Sequence, residues 1–136
     1  MNFDGFLINI ECALTPFETA ILIDWLVMTR DRLKSRVSHG MLVWYDAVTI
    51  EGHVKWQNAL NSMNKPFFDV CDSIFINYAW DQSAASTSAS VAGDRVCDVF
   101  LGVDVFGRGT YGGGKYNSHM ASAMTQVKYV YFVVNL

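Results

Sequence analysis

The chain has 136 residues, 51% hydrophobic and 17% charged, which supports one domain with a real core and argues against intrinsic disorder. A formal net charge of −3 gives no electrostatic reason to expect nucleic acid or an anionic membrane surface. No apolar run reaches the ~18–20 residues of a membrane span, and no basic segment followed by the apolar core of a signal peptide is visible.

Phe3 to Glu11 reads as a first strand, opened by an Asp4-Gly5 turn and running apolar, with β-branched Ile8 and Ile10. Side chains alternate along a strand, so Phe6, Ile8 and Ile10 form an apolar face. Leu7, Asn9 and Glu11 form the other, with the amide and the carboxylate about 6–7 Å apart by strand rise. Thr15, Pro16 and Glu18 then spell an N-cap, a first helical residue and the returning half of a capping box. The helix is expected to run to about Val37. Phe17, Ile21, Trp25 and Met28 make its apolar stripe, and Arg30 to Arg36 a basic, solvated last turn.

Met41 to Asp46 is the second strand, with Ala47 to Glu51 extending it. Gly52-His53 is a turn, Val54 to Asn58 leads into a short helix, and Pro66 is expected to end that helix. Ser73 to Tyr78 is a third strand. Asp81 to Gly93 is rich in Ala and Ser and fits a linker or a surface helix. Val99 to Phe106 is the clearest strand, with Val99, Leu101, Val103 and Val105 on one face. Tyr116 to Val127 has helical character, and Lys128 to Val134 is a last strand.

Strand and helix thus alternate through five strands. Helical connectors of this length imply a parallel sheet. Four of the five strands turn polar towards their C-terminal ends, as in a (β/α) barrel that draws its chemistry from strand ends on one face. A full barrel takes ~200–250 residues. The reading is therefore an α/β chain: a partial TIM-type (β/α) barrel of about five parallel strands with intervening helices, its C-terminal half, filling 1–136 as one partial catalytic domain.

Cys12, Cys71 and Cys97 are far apart, with no C-x-x-C or Cys/His cluster, so neither a disulfide framework, a metal site nor a cofactor is expected. Reduced thiols fit a cytoplasmic protein. Gly109 to Tyr116 nearly spells a phosphate-binding loop, but Tyr116 stands where the metal-binding hydroxyl belongs; a mobile loop over a cleft is the better reading.

The stretches Asp4-Gly5-Phe6-Leu7-Ile8-Asn9-Ile10-Glu11, Val43-Trp44-Tyr45-Asp46, Trp56-Gln57-Asn58, Pro66-Phe67-Phe68-Asp69, Ile76-Asn77-Tyr78 and Gly102 to Gly109 stand in order. Together they resemble glycoside hydrolase family 85, the cytosolic endo-β-N-acetylglucosaminidases. The resemblance runs from Phe3 to about Gly114. It implies cleavage of the GlcNAc-β-1,4-GlcNAc core of N-linked glycans by a retaining, substrate-assisted route through an oxazolinium intermediate, in the cytosol. By the same resemblance, Glu11 is the general acid/base, Asn9 orients the 2-acetamido group, Tyr45 is a subsite tyrosine supporting both, and Trp56 and Trp80 line the sugar cleft.

The residues fit that chemistry in their own right. Most retaining glycosidases need two carboxylates, but substrate assistance removes the need for an enzymic nucleophile. A carboxamide beside an acid then suits the task of aiming the acetamide carbonyl at the reacting carbon. The acid must hold a proton, for which a partly apolar pocket is expected around Glu11. Tyr45 and Asp46 also fit ordinary strand-end hydrogen bonding. Asn77 is a candidate for substrate binding. Asp104 either binds a sugar hydroxyl or pairs with Arg108 or Arg95. The partners expected are N-glycans, with no nucleic acid and no membrane. Two alternatives to the enzyme stand: a non-catalytic barrel remnant, and a glycan-binding fragment that stacks sugars on Trp56 and Trp80 without turnover.

Overall fold

The structure is a computed structural model and describes residues 3–107, 109–126 and 131–135, with the backbone alone at 125, 126 and 131–135. Five strands form one parallel sheet in sequence order: β1 (Gly5–Ile8), β2 (Met41–Tyr45), β3 (Ser73–Ile76), β4 (Val99–Asp104) and β5 (Tyr131–Asn135). Helices α1 (Pro16–Arg36), α2 (Lys65–Val70), α3 (Gln82–Ala92) and α4 (Ser118–Gln126) occupy the connections. The expected alternation of strand and helix is thus observed. Residues 127–130, where the last helix and strand were expected to meet, lie outside the described residues.

Strand alternation divides the side chains between two faces. Leu42, Trp44, Ile74, Ile76, Val99, Leu101 and Val103 join the helices in the main core. There Trp44 stacks on Phe67 of α2, ring centroids 4.4 Å apart and planes 13° from parallel. Tyr45 and Phe75 belong to a smaller cluster with Val43, Tyr78 and Phe100. Gly102 lies among these aromatics, and a Cβ there would come within 2.8 Å of the Tyr78 ring.

Helix α1 starts as the sequence demands. The Thr15 hydroxyl accepts the Glu18 N–H at 3.2 Å, and the Glu18 carboxylate accepts the Thr15 N–H at 2.7 Å. Its buried face differs from the expected stripe. Leu26 and Thr19 are buried, with Leu22, Ile23 and Leu33 packed against the core. Phe17, Ile21, Trp25 and Met28 are exposed instead. The basic end is also less solvated than expected: Arg30 donates to the Val70 carbonyl at 2.9 Å, and Lys34 pairs with Asp72 at 2.9 Å.

Pro66 begins a helix where it was expected to end one. A proline in the first turn gives up an N–H that has no intrahelical partner there, so Pro66 is accommodated as the second residue of α2. Residues 47–51 do not extend β2 as expected; they leave the sheet and pair with the next segment at an isolated Val48–Val54 bridge. Of the two readings for Asp81 to Gly93, the helix is observed: the Asp81 carboxylate accepts the Ser83 and Ala84 N–H groups as an N-cap. Gly109 to Tyr116 folds into short turns anchored by Tyr111, which stacks on Trp80 at 5.2 Å.

Candidate active site at the strand ends

Asn9 and Glu11 lie just past the last residue of β1, at its C-terminal end. Both are exposed, and the Asn9 amide donates to the Glu11 carboxylate at 2.9 Å. The pair therefore faces one side and is open to a ligand. The partly apolar pocket expected around Glu11 is not formed by the described residues, because Leu7 on the same strand is itself 53% exposed.

Tyr45, at the end of neighbouring β2, is nearly buried. Burial pushes its phenol up to about 12, helped by the nearby Tyr78 and by the negative charge of Glu11, while hydrogen bonding with the Trp56 side chain acts in the opposite direction. The Glu11 influence places Tyr45 and the Asn9–Glu11 pair in one electrostatic neighbourhood. Tyr45 donates to the Asn77 side-chain carbonyl at 3.0 Å, and the Asn77 side-chain amide donates to the Asn58 side-chain oxygen at 3.0 Å. Trp56 keeps 40% of its surface exposed.

Two predicted site residues sit differently. Trp80 is 3% exposed; its indole N–H donates to the Gly102 carbonyl and its ring lies on Tyr111. It presents almost no surface to a sugar, since a strand-end tryptophan with a backbone acceptor in reach satisfies its N–H by turning inward. Asp104 accepts the N–H of Phe106 at 2.9 Å, closing a local turn. Its expected pairing with Arg95 does not form. Arg95 instead pairs with Asp98 at 2.8 Å, lies over the Phe68 ring and donates to the carbonyls of Phe68, Cys71 and Asp72. Arg108 lies outside the described residues.

Asp46 makes the strand-end hydrogen bonds expected of it, and the structure adds Asn58 and Asn64 as partners that the sequence left without a role. Asp46 is 1% exposed. One of its carboxylate oxygens accepts the N–H groups of Gln57 and Asn58 at 3.0 and 2.8 Å, and the other accepts the Asn64 amide at 2.9 Å. Burial raises this acid from 3.8 to about 6, against the hydrogen bonds, which lower it. Asn58 has φ +56, a left-handed conformation that asparagine tolerates better than most residues. The signal in the sequence was a polar residue ending a strand, ahead of a segment holding three asparagines. Among the described residues, no cluster of His, Cys, Asp and Glu could hold a metal ion, and no helix is long and apolar enough to cross a membrane.

The model of glycosyl hydrolase family 85 matches residues 1–133. The chain belongs to glycosyl hydrolase family 85. Among relatives of this family 85 chain, cytosolic endo-beta-N-acetylglucosaminidase 1 of Arabidopsis thaliana is 47% identical over 121 residues, covering 89% of the chain and 18% of that protein. The cytosolic endo-beta-N-acetylglucosaminidase of Homo sapiens is 40% identical over 117 residues, covering 86% and 16%. The chain thus spans less than a fifth of the length of either relative. In fold it is similar to the glycoside hydrolase domain of Endo-D from Streptococcus pneumoniae R6, with a TM-score of 0.64, 24% identity, and coverage of 74% of this chain and 18% of that one.

Proposed function

We propose that this family 85 chain carries the acid/base end of an endo-β-N-acetylglucosaminidase that cleaves the GlcNAc-β-1,4-GlcNAc core of N-linked glycans. The observation that carries the reading is the exposed Asn9–Glu11 pair, hydrogen-bonded at 2.9 Å beside Tyr45 at the strand ends. Glu11 donates its proton to the leaving oxygen. The substrate's own 2-acetamido carbonyl attacks the anomeric carbon, and the bond to the leaving sugar breaks to give an oxazolinium. Glu11, now ionised, takes a proton from the water that opens that ring, so configuration is retained. Asn9 holds the acetamide in the attacking geometry and stabilises charge developing on its nitrogen. Exposed Trp56 offers a ring for a sugar face, and Asn77 acts one step back by holding Tyr45. In this reading the five parallel strands are an arc of a (β/α) barrel, and N-glycans in the cytosol are the substrate class.

The test is incubation of the chain with a high-mannose glycopeptide, scored for a product bearing a single GlcNAc. Release abolished by Glu11→Gln, and cut at least about a hundredfold in kcat by Asn9→Ala, is the expected result. Release unaffected by either substitution rejects the assignment. A second reading, glycan binding without turnover, draws on the exposure of Glu11 and Leu7, which leaves the reacting centre open to water. It predicts binding that depends on Trp56 and no product.

A further inference from the structure

We propose that Asn58 is a positioning residue for the Tyr45 hydroxyl, acting through Asn77; the inference rests on reading Tyr45 as part of the glycan site. An amide has a donor end and an acceptor end. The Asn58 side-chain oxygen accepts from the Asn77 nitrogen at 3.0 Å, which turns the Asn77 oxygen towards Tyr45, also 3.0 Å away. The phenolic proton is thereby committed to Asn77. The phenol's oxygen is left to accept, as it does from the Trp56 side chain. Tyr45 then meets its ligand chiefly as an acceptor, a polarity that no list of site residues reveals.

Asn58 is placed to meet Asn77 because its own backbone is held. Its φ of +56 keeps the side chain on the Asn77 side, and its N–H is gripped at 2.8 Å by Asp46, whose other oxygen holds Asn64 inside the core. A continuous chain of hydrogen bonds therefore runs from buried Asn64 through Asp46, Asn58 and Asn77 to the tyrosine at the site. Two separate demands meet at position 58: a left-handed backbone and a side-chain acceptor. Glycine meets only the first. Aspartate tolerates the first and retains the second.

That separation gives the experiment. The C–O stretching band of ring-labelled tyrosine, isolated for Tyr45 by subtracting the Tyr45→Phe spectrum, distinguishes a phenol that donates from one that accepts. At neutral pH the wild-type chain shows a donor band. Asn58→Gly, with the fold checked by circular dichroism, is expected to lose at least about half of that band to accepting or water-bonded forms, as a freed amide flips between two nearly equal states. Asn58→Asp keeps it. An unchanged donor band in Asn58→Gly overturns the proposal. So does loss of the band in Asn58→Asp, a variant that decides the matter even where Asn58→Gly fails to fold. The readout needs no turnover, so absent glycan release with the band behaviour intact counts against the glycosidase reading alone.

Discussion

Asp46 shows how a single buried carboxylate sets its neighbours. It accepts hydrogen bonds from Gln57, Asn58 and Asn64 while 1% exposed, so its charge is satisfied but poorly solvated. Its raised pKa, about 6 against an ordinary 3.8, has a definite sign for stability. Between those values the unfolded chain has released the proton and the folded chain still holds it. The stabilising contribution is therefore complete below about pH 4 and is lost as pH rises through about 6. Its size is roughly 3 kcal/mol, at order-of-magnitude precision. Urea denaturation at pH 4, 5, 6 and 7 should show this decline in the wild type and a flatter profile in Asp46→Asn. Equal slopes in both proteins would falsify the assignment.

Helix α1 teaches a different lesson at the scale of an element. Phe17, Ile21, Trp25 and Met28 recur at helical spacing, yet Phe17 and Met28 are 75% and 71% exposed. The helix is apolar on two sides, and only the Leu26 side meets the sheet in this chain. Phe6 and Leu7 of β1 are likewise more than half exposed. Exposed apolar stripes of this kind promote association in water. Met28→Lys is expected to leave the unfolding free energy from urea denaturation within about 0.5 kcal/mol of wild type and to reduce self-association seen by light scattering. A large loss of stability would place Met28 in the core instead. Capping, by contrast, was legible at once. Thr15, Pro16 and Glu18 form a local signal whose hydrogen bonds close within four residues, so no tertiary contact can override them.

For the whole molecule, stability rests on the helix-side face of the sheet. Trp44, Phe67, Ile74, Leu101 and Val103 are all buried there, and the Trp44–Phe67 stack joins β2 to α2. Phe67→Ala should cost about 3–5 kcal/mol, a large share of a domain's usual stability, read as a lower denaturation midpoint by fluorescence. A cost below about 1 kcal/mol would show that α2 contributes little to the core. The opposite face carries fewer buried residues, Tyr45 and Phe75 among them, and leads to the site at the strand ends. The molecule thus separates the packing that holds the sheet from the polar groups at the strand ends, to which the proposed function assigns the ligand.

The sequence by itself determined what depends on neighbours along the chain: the alternation of strand and helix, the α1 cap, and the placement of Asn9 beside Glu11 two residues on. Each follows from backbone periodicity or a short-range hydrogen bond. Tertiary structure alone decided which of two apolar sides α1 buries, that Trp80 turns inward onto the Gly102 carbonyl, and that Arg95 serves Asp98 and three carbonyls instead of Asp104. It also decided the line from Asn64 to Tyr45, whose members stand up to 32 residues from their partners. Side-chain partners at that distance are chosen by whichever donors and acceptors the packed sheet brings within about 3 Å, a length no local pattern encodes.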